Sequence, residues 1–257
     1  MRIIKTLYKI FKLLFPTKFK KYLKEKISDS KKISDEKFYK VAEAYYSEKI
    51  ETDGLNYEIL VNAINEIREV KGIICEIGTR RGGSAKWIID TLVNNSDTQR
   101  HFITIDPYGN IEYNHGDGNV GSKISVEGFT NKMRNETVPF LYMYALKRLD
   151  HFTFFNLEDT EFFKKYEDGV PSYSEHQGKI FEKIYALVFF DGPHDYKSIT
   201  KEVKFFNSRT SSGAVYVFDD VSNYNHTLLE EEYLLRSGWQ VFQKSERKIS
   251  YKKVSSY

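Results

Sequence analysis

The sequence predicts an α/β fold, a doubly wound sheet of about seven strands, mostly parallel with an antiparallel final strand, preceded by N-terminal helices. Three observations predict it. First, the short runs Ile73–Ile77, His101–Ile105, Phe152–Leu157, Tyr185–Phe190 and Gly213–Phe218 are continuously apolar, as strands covered on both faces must be. Second, stretches of helical period separate these runs, giving strand–helix–strand units and right-handed crossovers. Third, acids stand at or beside the end of each run: Glu76, Asp106, Glu158-Asp159, Asp191 and Asp219-Asp220. Strand ends of an open parallel sheet are where ligands bind.

At 257 residues the chain can bury a proper core. It divides into a basic extension over residues 1–27, a linker and helical cap over 28–70, and the α/β domain over 71–257. A net charge of +3 leaves no nucleic-acid footprint. The single cysteine, Cys75, excludes an intramolecular disulfide and a Cys-rich zinc site, and fits the reducing cytoplasm. Its place in an apolar strand reads as a packed thiol.

In chain order, Ile3, Ile4, Leu7, Phe11, Leu14 and Phe15 recur at helical spacing among Arg2, Lys5, Lys9 and Lys12. Lysines break this run too often for a spanning helix or signal core. Two readings stay open: a basic amphipathic helix on an anionic membrane surface at its inner face, or a helix packing on the domain or on a second copy in a homo-oligomer. Residues 28–37 read as linker and 38–70 as helices covering the sheet. After Ile73–Ile77, a helix runs from Ser84 through Leu92 until Asn94-Asn95-Ser96-Asp97 breaks it. Residues 108–128, rich in Gly and Asn and containing His115, read as a functional loop. A helix over 129–149 is expected to be interrupted near Pro139. Residues 161–183 read as helical at both ends with a break at Gly169–Ser172. Further helices are expected over Lys197–Asn207 and Leu228–Arg236. Trp239–Gln243 and Ile249–Val254, separated by charged Lys244–Lys248, close the chain as an antiparallel pair.

The stretch Glu76-Ile-Gly-Thr-Arg-Arg-Gly-Gly-Ser84 joins a strand to a helix through a glycine turn. Gly78, Gly82 and Gly83 allow sharp turns and close approach of a ligand, and the helix N-terminus offers free N–H groups. The pattern E-x-G-x-x-x-G lacks the G-x-G-x-x-G of dinucleotide binders. An acid ending the second strand, Asp106, is placed to accept two ribose hydroxyls. Its plain alternative is a turn residue before Pro107. Glu158 or Asp159 would approach a base edge. A row of carboxylates needs a neutralising partner: ligand hydroxyls or an amine, a cation such as Arg80, or a divalent ion. Asp191, Asp219 and Asp220 suit an oxygen-liganded, Mg²⁺-like ion, with helix capping and turn closure as the alternative.

These motifs together resemble the Rossmann-like class I S-adenosylmethionine-dependent methyltransferases. Glu76–Ser84 is similar to that family's motif I. Phe189-Phe-Asp-Gly-Pro-His-Asp-Tyr196 with Phe218-Asp-Asp220 resembles the small-molecule O-methyltransferase branch that includes macrocin O-methyltransferase. The resemblance implies S-adenosylmethionine held by Glu76, Gly78, Thr79, Gly82, Gly83 and Ser84, with Asp106 on the ribose, Glu158 or Asp159 near the base, and Asp191 beside it. It also implies Mg²⁺ on Asp191, Asp219 and Asp220 beside the acceptor hydroxyl. One departure matters: Pro193 replaces an acid that serves as base in relatives. His194 is then the expected base, because imidazole suits proton transfer near neutral pH, and Asp195 is the second choice. The expected function is O-methylation of a small molecule, a sugar or glycoside in surface-polysaccharide or natural-product biosynthesis. A non-catalytic scaffold of the same fold and a nicotinamide-dependent enzyme are the alternatives.

Overall fold

The computed structural model describes residues 50, 54–109, 130–146, 148–174 and 178–254. Expectations for residues 1–49, including the basic extension, and for the loop with His115 lie outside the described residues. Along the chain the elements are α1 (Tyr57–Glu66), β1 (Ile73–Ile77), α2 (Gly83–Asn94), β2 (Phe102–Ile105), α3 (Asn131–Ala145), β3 (Phe152–Phe155), α4 (Asp159–Lys165), β4 (Val170–Ser174), β5 (Gly178–Glu182), β6 (Tyr185–Phe190), α5 (Tyr196–Asn207), β7 (Val215–Phe218), α6 (His226–Leu229), β8 (Trp239–Lys244) and β9 (Ile249–Lys253).

Seven strands form one sheet in the order β3-β2-β1-β6-β7-β9-β8. β1, β2, β3, β6 and β7 run parallel, and β9 enters antiparallel to both β7 and β8. β1, β2, β6 and β7 are buried at every position, which is why their sequences do not alternate. Their side chains feed two apolar clusters, one containing Ile73, Cys75 and Phe190, the other Ile74, Phe102 and Phe189. α1 and α2 pack in the second cluster through Leu60, Ile64, Ile88 and Leu92. Cys75 is a free, fully buried thiol held protonated chiefly by burial. Strand order reverses between β1 and β6, and that switch point is where a crevice must open.

Three local expectations are corrected. α3 runs unbroken through Pro139. Thr130 caps it, accepting from the Met133 N–H at 3.1 Å, and Leu141, Tyr144 and Ala145 bury its inner face. Pro139 and Asn135 lie on the exposed face, where water can take the carbonyl that the proline leaves unpaired. In place of the second helix expected before Lys183, β4 and β5 pair as an antiparallel hairpin. Val170 and Ser172 point inward while Tyr173 points out, a period of two rather than 3.6. Finally, the helix after β7 begins at His226 and passes through a π turn at Glu230–Leu234 and a 3₁₀ turn at Leu235–Ser237. Among the described residues no helix is long and apolar enough to cross a membrane.

Candidate active site

A cavity of about 510 Å³ opens at the C-terminal ends of β1, β2, β6 and β7, within the ~300–1,000 Å³ of small-molecule sites. Of the residues expected from sequence, Gly78, Thr79, Gly83, Ser84, Asp106, Glu158, Asp159, Asp191, His194, Asp195, Asp219 and Asp220 line it. Glu76 and Gly82 do not.

Glu76 is fully buried behind the turn, where its two carboxylate oxygens accept from Ser84 Oγ and Thr104 Oγ1, each at 2.5 Å. Burial pushes its pKa up to about 7 against these two hydrogen bonds. Its carboxylate therefore ties β1 to β2 and α2 instead of facing the crevice. Gly82 sits at the N-cap of α2 with φ 78°, and a Cβ there would meet Thr137, Ile50 and Leu141. Gly78 (φ 96°) has no room for a side chain, since a Cβ would stand 2.1 Å from the Asp191 carbonyl oxygen. The neighbouring strand end, before any ligand, demands that glycine.

Asp106 is nearly fully buried. Oδ2 accepts from the Arg80 N–H at 2.8 Å and Oδ1 from the Tyr108 N–H at 3.0 Å. The Tyr108 hydroxyl donates to the Arg80 carbonyl. Arg80 and Tyr108 both take left-handed conformations, φ 42° and 43°, so Asp106 holds the glycine turn against the β2 end. Burial raises its pKa to about 6, opposed by backbone N–H groups of Arg80, Tyr108 and Thr79. A carboxylate has about four lone-pair sites, so with three backbone N–H groups on it one remains for a ligand hydroxyl. Gly83 and Ser84 bring the uncapped N-terminus of α2 to the same wall. Across the cavity, Glu158 caps α4 in a capping box with Glu161, and burial raises the Asp159 carboxyl.

On the other side of the switch point, β6 ends in Asp191 and the chain turns through Gly192 and Pro193. His194 is 6% exposed, and its Nε2 lies 3.9 Å from Asp191 Oδ1 and 3.8 Å from Asp220 Oδ2. These are ion-pair distances, longer than hydrogen bonds. Asp191 is pushed well up, by burial first and by Asp219 next, with Lys248 opposing. Asp195, also on the cavity wall, caps α5, its Oδ1 accepting from the Ser198 N–H at 3.0 Å.

Two of the three acids expected to hold a metal ion, Asp219 and Asp220, are paired with cations of the chain itself. The Lys248 ammonium donates to Asp219 Oδ2 at 2.7 Å, and Asp219 Oδ1 accepts the Asp220 N–H at 2.8 Å. Arg247 Nε donates to Asp220 Oδ1 at 2.9 Å. Among the described residues no group of three His, Cys, Asp or Glu side chains is arranged to hold a metal ion. Sequence reading passed over both cations as part of a charged turn. Their signal lay in the ladder: Phe218 pairs with Ile249, so Asp219 falls opposite Lys248 and Asp220 opposite Arg247.

A family model described as methyltransferase domain matches residues 75–221, more than half of the chain. The chain belongs to the methyltransferase-domain family. It is an S-adenosylmethionine-dependent methyltransferase, and the matched span covers the glycine turn, Asp106, His194 and both acids after β7. No curated protein matches the sequence. Among solved structures, the O-methyltransferase NovP superposes with TM-score 0.52 at 14% identity, covering 77% of this chain and 78% of that one. The calicheamicin methyltransferase CalS11 gives 0.51 at 12% identity, over 86% and 94% of the two chains. A protein from Corynebacterium glutamicum gives 0.52 at 12% identity, over 94% and 99%. At these identities the likeness shows the shared fold.

Proposed function

We propose that this methyltransferase transfers its methyl group to a hydroxyl of a small molecule, a sugar or glycoside in surface-polysaccharide or natural-product biosynthesis. The observation that carries the hydroxyl reading is His194, a buried imidazole on the cavity wall with carboxylates of two strand ends within 4 Å of Nε2. NovP, of like fold, is named as an O-methyltransferase. The glycoside reading rests on the resemblance of Asp191–Tyr196 and Asp219-Asp220 to the branch that includes macrocin O-methyltransferase, and CalS11 is named as a calicheamicin methyltransferase.

S-adenosylmethionine, when bound, supplies a methyl carbon already activated by its sulfonium. The residues of the donor half fit it. The free N–H groups of Gly83 and Ser84 suit the carboxylate of its amino-acid end, Asp106 has an acceptor site left for a ribose hydroxyl, and Glu158 and Asp159 line the wall assigned to the base. The chain's own chemical task is small: orient the acceptor in line and remove its proton. His194 takes that proton at Nε2, and Asp220, whose Oδ2 lies 3.8 Å from it, offsets the charge the ring gains. A partly enclosed wall of strand ends keeps bulk water from these charges, which act most strongly where water is excluded. No step runs through a metal.

Methyl-labelled S-adenosylmethionine offered with a panel of sugars, glycosides, amines and thiols tests the reading. Label is expected on an acceptor oxygen; transfer confined to nitrogen or sulfur acceptors would overturn it.

A further inference from the structure

The acceptor half of the cavity gathers three carboxylates, Asp191, Asp219 and Asp220, at two adjacent strand ends. Such a cluster needs compensating positive charge. The β8–β9 hairpin delivers it. Its turn is pinned by Ser245 and Lys248, whose backbone groups pair at 2.7 Å, and by the Val221 N–H donating to the Arg247 carbonyl at 3.1 Å. Lys248 is fully buried. Besides Asp219 its ammonium donates to the Leu55 carbonyl at 2.7 Å, and it stands over the rings of Tyr57 and Phe189 at 5.4 and 6.0 Å. Arg247 is 38% exposed at the cavity wall and bonds Asp220 Oδ1 through Nε and Nη2. A metal–oxygen bond of about 2 Å added to the observed Lys248–Asp219 separation would leave a divalent ion within about 5 Å of fixed positive charge.

We infer that Lys248 and Arg247 are the resident counter-cations of the acceptor site, occupying the electrostatic place of a divalent ion, so that this chain holds no metal there and transfers methyl groups without one. The inference rests on the methyltransferase reading. Lys248 is fully buried and acts through Asp219, as a positioning residue. Arg247 reaches the cavity and fixes the carboxylate of Asp220 that faces His194. The two cations also preserve the geometry of the row: with each acid paired across the ladder, Asp219 and Asp220 cannot turn together toward a common centre.

Manganese binding, read by electron paramagnetic resonance on the full chain with and without S-adenosylhomocysteine, is the direct test. The unaltered chain is expected to bind no Mn²⁺ up to about 1 mM. A stoichiometric site tighter than about 100 μM that Asp219→Asn removes would overturn the inference. Removing a counter-cation should create what the unaltered chain lacks, so Lys248→Met is expected to gain at least about tenfold in Mn²⁺ affinity. Arg247→Ala, at a more exposed position, carries the same expectation if Lys248→Met fails to fold. A folded variant with no gain contradicts the counter-cation role. Affinity for S-adenosylhomocysteine should stay within about twofold in EDTA. Absence of that binding both with and without EDTA counts against the methyltransferase reading instead, while the Mn²⁺ result still decides the metal question.

Discussion

Asp219 and Lys248 meet because the ladder between β7 and β9 continues past its last pair, Phe218 with Ile249, and sets a carboxylate 2.7 Å from an ammonium in the buried core. Breaking such a pair from one side leaves an unpaired buried charge, which costs about 3–5 kcal/mol, whereas removing both charges is often nearly neutral. Lys248→Met should therefore lower unfolding stability by about that amount, and Asp219→Leu added to it should recover most of the loss. Urea denaturation of the single and double variants checks this; equal stability of Lys248→Met and the unaltered chain would contradict the pairing.

His194 stands apart from the donor half. His194→Ala should lower kcat by about 10²–10⁴ while leaving affinity for S-adenosylhomocysteine within about twofold. Steady-state kinetics paired with calorimetry separates the two quantities. A parallel loss of affinity would make the histidine a structural support of the cofactor wall.

Glu76 makes stability depend on pH. Its pKa rises from 4.5 to about 7 on folding, chiefly through burial, so the native state holds a proton that the unfolded chain releases. Its contribution is most favourable below pH 4.5, is lost progressively as pH rises through about 7, and amounts to on the order of 3 kcal/mol. Asp106, raised to about 6, acts in the same direction over a narrower window. Glu76→Gln, which keeps an acceptor for Ser84 and Thr104, should flatten the fall in Tm between about pH 5 and 7. Thermal melts across that range read it directly; an unchanged slope would place the pH dependence elsewhere.

The two glycines of the turn should part company. Gly78→Ala puts a methyl 2.1 Å from the Asp191 carbonyl oxygen at φ 96°, a backbone clash that costs more than about 3 kcal/mol or prevents folding. Gly82→Ala meets its nearest neighbour, Thr137 Cγ2, at 3.5 Å, so only the left-handed φ of 78° is strained, costing about 1–2 kcal/mol. Chemical denaturation of the two variants should rank them in that order.

The parallel core was legible because strands buried on both faces leave continuous apolar runs, as Tyr185–Phe190 does. The acids at the strand ends followed from topology alone, and most of them line one cavity. What sequence could not show was direction. Glu76 reads the same whether it faces a ligand or, as here, the hydroxyls of Ser84 and Thr104. The β4–β5 hairpin was hidden by its residues' modest strand preference, which Gly169 at φ 112° and the inward packing of Val170 override. The partners of Asp219 and Asp220 were hidden for lack of register: the sequence shows an antiparallel pair, but not which turn residues it sets against the two acids.

We propose that the wall built from the glycine turn and Asp106 holds S-adenosylmethionine. Titration calorimetry of the full chain with S-adenosylhomocysteine tests it most directly. Saturable one-site binding is expected, with Kd of about 1–100 μM, weakened at least about tenfold by Asp106→Ala. No heat of binding at about 1 mM ligand would contradict it.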